Sequence, residues 1–96
     1  MNDHDDLILL RAEVLRRTGQ TDLAGVARTP AFARLEADLE TVLRLRLGLD
    51  RHPIRGRTRR EVADTMGLAG PTIERAIAAI EEDAIAALGP PSAIGA

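Results

Sequence analysis

Short runs of apolar residues at three- and four-residue spacing, each closed by a glycine or proline, constrain this chain to a set of short amphipathic helices. The residues in those runs are mostly Leu, Ala, Ile and Val, and Phe32 is the single aromatic. That palette favours helices and lacks the β-branched and aromatic mixture of strands. At 96 residues there is room for one core and not for two domains. The expected fold class is all-α, a small domain of four to five helices.

Punctuation places the helices. Asp5 or Asp6 can cap a first helix to about Thr18, with Leu7, Leu10 and Val14, and Ile8 and Leu15 beside them, expected to form one broad apolar stripe, and Gly19 as its stop. Thr21 can cap a short turn reaching about Ala27. Thr29-Pro30 marks a second start, a capping threonine before a proline at the first helical position. One helix is expected from there to Gly48, burying Phe32, Leu35, Leu39, Val42 and Leu43. Residues 49–57, with Pro53 and Gly56, cannot be regular helix. Thr58-Arg59-Arg60-Glu61 reads as a capping box for a short helix to Met66. Gly70-Pro71 is expected to open a last helix to about Leu88, with Ile73, Ile77, Ile80 and Ala84 inward. Residues 1–88 thus form one helical domain, and 89–96 are expected to be a disordered tail.

Charge is divided unevenly. The net charge is −2, but residues 1–43 carry −3, residues 44–60 carry +6 and residues 61–96 carry −5. The central block holds Arg44, Arg46, Arg51, Arg55, Arg57, Arg59 and Arg60 against Asp50. A positive segment in an acidic protein is a feature an anionic partner can use, and it can equally be a solvated loop at a helix end.

That block leads into a pattern for a helix-turn-helix over residues 58–88. The small Ala63 stands four residues before Gly67, where two steeply crossing helices would touch. Val62 and Met66 are expected to bury the first helix, Leu68 to fill the corner, and Ile73 and Ala76 to bury the second. The turn is expected to be three or four residues long.

Residues 41–68 resemble region 4 of bacterial sigma-70-type RNA polymerase factors. The resemblance is carried by Val42-Leu43-Arg44-Leu45-Arg46-Leu47-Gly48-Leu49, Arg57-Thr58, Glu61-Val62-Ala63 and Met66-Gly67-Leu68. It covers roughly residues 41–75 and fades along the last helix. It implies a helix-turn-helix that reads promoter DNA in the major groove, preceded by a helix facing the polymerase. On that basis Arg55, Arg57, Arg59 and Arg60 are candidate phosphate anchors, and Thr72 and Arg75 candidate base readers. Arg44, Arg46 and Glu74 are candidates for contact with polymerase or another partner. The second helix departs from the family by carrying Ala78, Ala79 and the acidic run Glu81-Glu82-Asp83 where polar and basic residues are usual. That run should repel a DNA backbone.

Several function classes are excluded. The chain has no cysteine and two histidines, which leaves no thiolate metal site and no histidine-rich one. It shows no nucleophile–base pair, phosphate loop or paired-carboxylate pocket, so neither an enzyme nor a cofactor is expected. No apolar run approaches a membrane span, and Asn2-Asp3-His4-Asp5-Asp6 is the wrong flank for a signal peptide, so a cytoplasmic protein is expected. Two functions remain. One is a stand-alone regulator touching promoter DNA and RNA polymerase or a companion activator, as in small activators of phage and phage-derived systems. The other is an interaction module that binds polymerase or a basic partner through Glu74, Glu81, Glu82 and Asp83 without reading DNA. Residues 5–47 would supply a partner or dimer surface in either case.

Overall fold

The computed structural model describes residues 3–90, and their side chains from residue 5 onward. The expected tail falls largely on 91–96, outside the described residues. Among the described residues there are six helices and no strand: α1 Asp3–Thr18, α2 Leu23–Val26, α3 Pro30–Ala33, α4 Ala37–Leu47, α5 Arg59–Thr65 and α6 Ile73–Leu88. The all-α class holds, and none of these helices is long and apolar enough to cross a membrane.

The expected helix from Pro30 to Leu47 is two helices. Thr29 caps α3 by accepting from the Phe32 N–H, with Pro30 at the first position. The chain then turns at residues 34–36, and α4 begins after Glu36, which makes no side-chain cap. No glycine or proline forces this break. It seats Phe32 and Leu35 together in the core while leaving α4 free to run in its own direction. Asp22, not Thr21, caps α2 by accepting from the Gly25 N–H.

α4 is the central element and is buried on two sides. Leu43 and Leu47 join a larger cluster with Leu10 and Val14 of α1, Phe32, and Ala84 and Leu88 of α6. Val42 and Leu45 join a second cluster with Val62 of α5 and Ile77 of α6. The first half of α6 therefore belongs to one cluster and its second half to the other. α4 and α6 weld the amino-terminal helices to the α5–α6 unit, so the chain has no hinge between two independent cores.

α1 and α6 run side by side in the same direction. Asp6 near the start of α1 shares Arg59 with Glu81 of α6. One helical stretch later, Arg17 donates to the carbonyls of Ile85 (3.2 Å) and Gly89 (2.8 Å). A guanidinium at the carboxyl end of α6 satisfies carbonyls left without helical partners and complements the helix dipole.

Candidate nucleic-acid interface

The capping box at the start of α5 is complete. Thr58 Oγ1 accepts from the Glu61 N–H (3.1 Å), and Glu61 accepts from the Thr58 N–H (2.9 Å). α5 ends at Gly67, which is left-handed (φ +73°), and the Leu68 N–H closes the end on Ala63 O. Val62 and Ala63 are buried, and Met66 and Ile73 pack against the second cluster. These positions of the helix-turn-helix pattern are filled as the sequence suggests.

Three details differ. The connection spans residues 66–72, longer than the expected turn, because Gly70-Pro71 lies in it and α6 starts only at Ile73. Leu68 is 40% exposed and does not fill the corner. Ala76 is exposed, and Ile77, fully buried, makes the core contact one residue later. Ile73, Ile77, Ile80 and Ala84 make the inward stripe of α6, and position 76 falls outside it.

The arginine block divides into an inner and an outer group. Arg46 is completely buried in the seam between the two clusters. Its Nε donates to Glu81 Oε1 (3.1 Å) and its Nη1 to the Arg57 carbonyl (2.6 Å), while the Arg57 N–H returns to Arg46 O (3.0 Å). Arg57 is also buried and grips Asp50 with two hydrogen bonds of 2.6 and 2.9 Å, with a third to Leu45 O. Arg59 spans from Glu81 Oε2 (2.7 Å) to Asp6 Oδ2 (3.0 Å). The roles suggested for Arg46, Arg57 and Arg59 as contacts for outside partners are therefore corrected. Their guanidiniums are committed inside the fold, where buried cations require carboxylates and carbonyls.

Glu81 is corrected with them. It is 4% exposed and holds two guanidiniums, so it neither faces DNA nor offers itself to a basic partner. Only Glu82 and Asp83 of that acidic run are exposed.

The outer group of the block consists of the exposed Arg44, Arg55 and Arg60 and the partly exposed Arg51, and the exposed Arg75 of α6 joins it. Arg44 pairs with Glu40 on its own helix. Arg60, 77% exposed in its side chain, lies 3.7 Å from Glu74, which is itself 56% exposed. Arg75 follows in the first turn of α6, next to the exposed Thr72, whose side chain makes no cap hydrogen bond. Arg51 and Arg55 flank a shallow hollow with His52 and Pro53 and lie close enough to Glu61 to help lower its pKa. Arg55, Arg60 and Arg75 thus stand near the starts of α5 and α6, and Arg44 stays on α4.

The carboxylates that organise this region titrate low. Hydrogen bonds from Arg57 hold Asp50 below the usual carboxylate range, the Thr58 N–H does the same for Glu61, and Arg17 for Glu13 on α1. A carboxylate with a depressed folded pKa contributes stability that is complete above its unfolded pKa and is lost as pH falls through the folded value. The melting temperature is therefore expected to hold from pH 7 to about 5 and to drop below about pH 4. Asp50→Asn should lower stability at pH 7 and flatten part of that acid drop. An equally steep drop in the variant would show that the Asp50 contribution is absent.

Comparison with protein-family models, with curated proteins and with solved structures finds no match to this chain. Function must accordingly be argued from the residues themselves.

Proposed function

We propose that this chain is a DNA-binding transcription regulator whose α5–α6 unit resembles sigma factor region 4 and docks on promoter DNA, with RNA polymerase or a companion activator as its protein partner. The observation that carries the reading is the separation of the arginines. One set ties α4, α5 and the loop between them into the fold, with Arg46 and Arg59 both on Glu81 of α6, and a second set stands exposed near the starts of α5 and α6. In helix-turn-helix docking the first helix crosses the phosphate backbone and the start of the second enters the major groove. Arg55 and Arg60 suit the first role, and Thr72 and Arg75 the second. The small Ala78 and Ala79 leave the shaft of α6 with little to read bases beyond its first turn.

The two outer cations placed on phosphates, Arg55 and Arg60, give a log–log salt slope of about −2, so binding to duplex DNA should weaken roughly 12-fold between 50 and 200 mM salt. Arg55→Ala/Arg60→Ala should reduce the slope by about two. Arg59 is unsuitable for such a test, because its loss would disturb the fold. Absent or salt-insensitive binding would refute DNA docking. A second reading then stands, an adaptor or anti-sigma-type inhibitor that binds a basic partner surface. The Arg60–Glu74 pair and the exposed Glu82 and Asp83 favour it. Recovery of core polymerase subunits by the wild type, lost in Glu74→Arg, would support that alternative.

A further inference from the structure

The solvent side of α1 carries a stripe of Asp5, Ile8, Leu9, Ala12 and Arg16, spaced so that all five share one face. Ile8 is 49% and Leu9 56% exposed, the two most exposed large apolar side chains among the described residues. A single exposed leucine needs no explanation, but two adjoining large apolar side chains, of which Leu9 borders a groove, do. Leu9 also forms one wall of a groove of about 880 Å³ between α1 and α6, floored by Leu10 and Ile85 and bordered by Ala78, Ala86 and Glu82. The alanines on the α6 side let another backbone approach closely.

The charges say what fits there. On the stripe the amino-terminal end carries Asp5 and the carboxyl-terminal end Arg16, while along the groove Asp6 is held by Arg59 and Arg17 by Glu13. Turned end for end, this surface is its own complement. Asp5 falls opposite Arg16 of a second copy and Leu9 opposite Ala12 of that copy, a large residue against a small one. The stripe extends about 16 Å from end to end. A parallel approach would instead set Asp5 against Asp5 and Arg16 against Arg16.

We infer that two copies of this chain associate through antiparallel α1 helices, with the second copy's α1 lying on Leu9 and along the α1–α6 groove. The contact is isologous, as a two-fold axis requires, and the α6 wall adds area that the α1 stripes alone would lack. Arg16 holds Glu13 within its own helix through Nε and Nη2, which leaves Nη1 to meet Asp5 of the other copy. The inference does not depend on DNA binding, because Arg55, Arg60, Thr72 and Arg75 take no part in it.

Sedimentation or light scattering of the full chain tests it, with far-UV circular dichroism to verify folding. The wild type should be mostly dimeric at about 100 µM and dissociate toward monomer near about 1 µM. Leu9→Arg should weaken association about a hundred-fold with unchanged helicity, since Leu9 is exposed in the single chain. Arg16→Asp alone should weaken it about ten-fold, and Asp5→Arg/Arg16→Asp should restore much of the loss. Restoration singles out the antiparallel register, because a parallel pair would still set like charges together. A wild type that stays monomeric at the highest concentration overturns the inference and leaves the face to a different protein. So does a folded Leu9→Arg variant that remains dimeric, or a folded double variant no better than Arg16→Asp.

Discussion

Arg46→Ala is expected to cost about 3–5 kcal/mol of stability, because it removes the buried partner of Glu81 and leaves that carboxylate with Arg59 alone. Arg46 is fully buried, and the Glu81 side chain is 5% exposed. After the substitution Glu81 keeps Arg59 on its second oxygen but loses the cation in the seam. The Arg57 carbonyl loses a donor at the same time, and the space left lies between the two apolar clusters. For a domain of this size a loss on that scale lowers the melting temperature by about 15 °C or more. Arg46→Met/Glu81→Leu should recover a substantial part, since both charges leave the interior together and Arg59, a quarter exposed, keeps Asp6 as its partner. Thermal and urea unfolding of the two variants make the comparison. A change of only a few degrees for Arg46→Ala would show that the pair is solvated and marginal, contrary to its burial.

The consequence for function is that the +6 segment offers less free positive charge than its count suggests. Asp6, Asp50 and Glu81 neutralise much of it from within the fold. The acids come from all three charge segments, so folding mixes what the linear chain keeps apart. The outer arginines are then a smaller, local feature at the helix starts.

Much of the fold was legible in advance because its signals are local. The capping box at Thr58 and Glu61, the Thr29-Pro30 start and the Gly48 stop each depend on residues within one turn of one another. The break between α3 and α4 was not legible, since tertiary packing of Phe32 and Leu35 decides it and no breaker residue marks it. The buried ion pair did leave a trace. Arg46 continues the stripe Leu39, Val42, Leu43, and Glu81 continues the stripe Ile77, Ala84, Leu88. Opposite charges at core positions of two helices are a signature of a buried pair, whereas a segment-by-segment charge count reads both as surface residues. Arg57 left no such trace. Its burial depends on a loop conformation that brings it onto Asp50 and Leu45, which periodicity cannot register. The exposed stripe on α1 was hidden for the opposite reason. Leu and Ile on several faces of a helix look like a broad core stripe until the neighbours that cover only one side are known.

Gly48→Ala is expected to cost on the order of 3 kcal/mol or more, and the reason is space as well as conformation. Gly48 ends α4 in the left-handed region (φ +80°), with its N–H donating to Arg44 O and Leu45 O and the next N–H returning to Arg44 O. A side chain in that conformation costs about 1 kcal/mol by itself. Here a Cβ would also stand 1.9 Å from Arg55 O and 2.3 Å from its carbonyl carbon. The obstacle is backbone, and it is not free to retreat. The loop is pinned two residues later by the paired hydrogen bonds between Arg46 and Arg57 and by the Arg57–Asp50 grip. Gly67 supplies the control, because it has nearly the same φ (+73°) and nothing within 4 Å of an added Cβ. Gly67→Ala should therefore cost about 1 kcal/mol, and Gly67→Asn less, since asparagine tolerates the left-handed region. Gly48→Asn should gain no comparable relief, because its Cβ meets the same carbonyl. If unfolding measurements gave Gly48 and Gly67 equal losses with alanine, the close approach of the arginine loop to the end of α4 would be disproved. If Gly48 falls well below Gly67, the loop that carries Arg55 and leads into α5 is held in place by a glycine on the neighbouring helix.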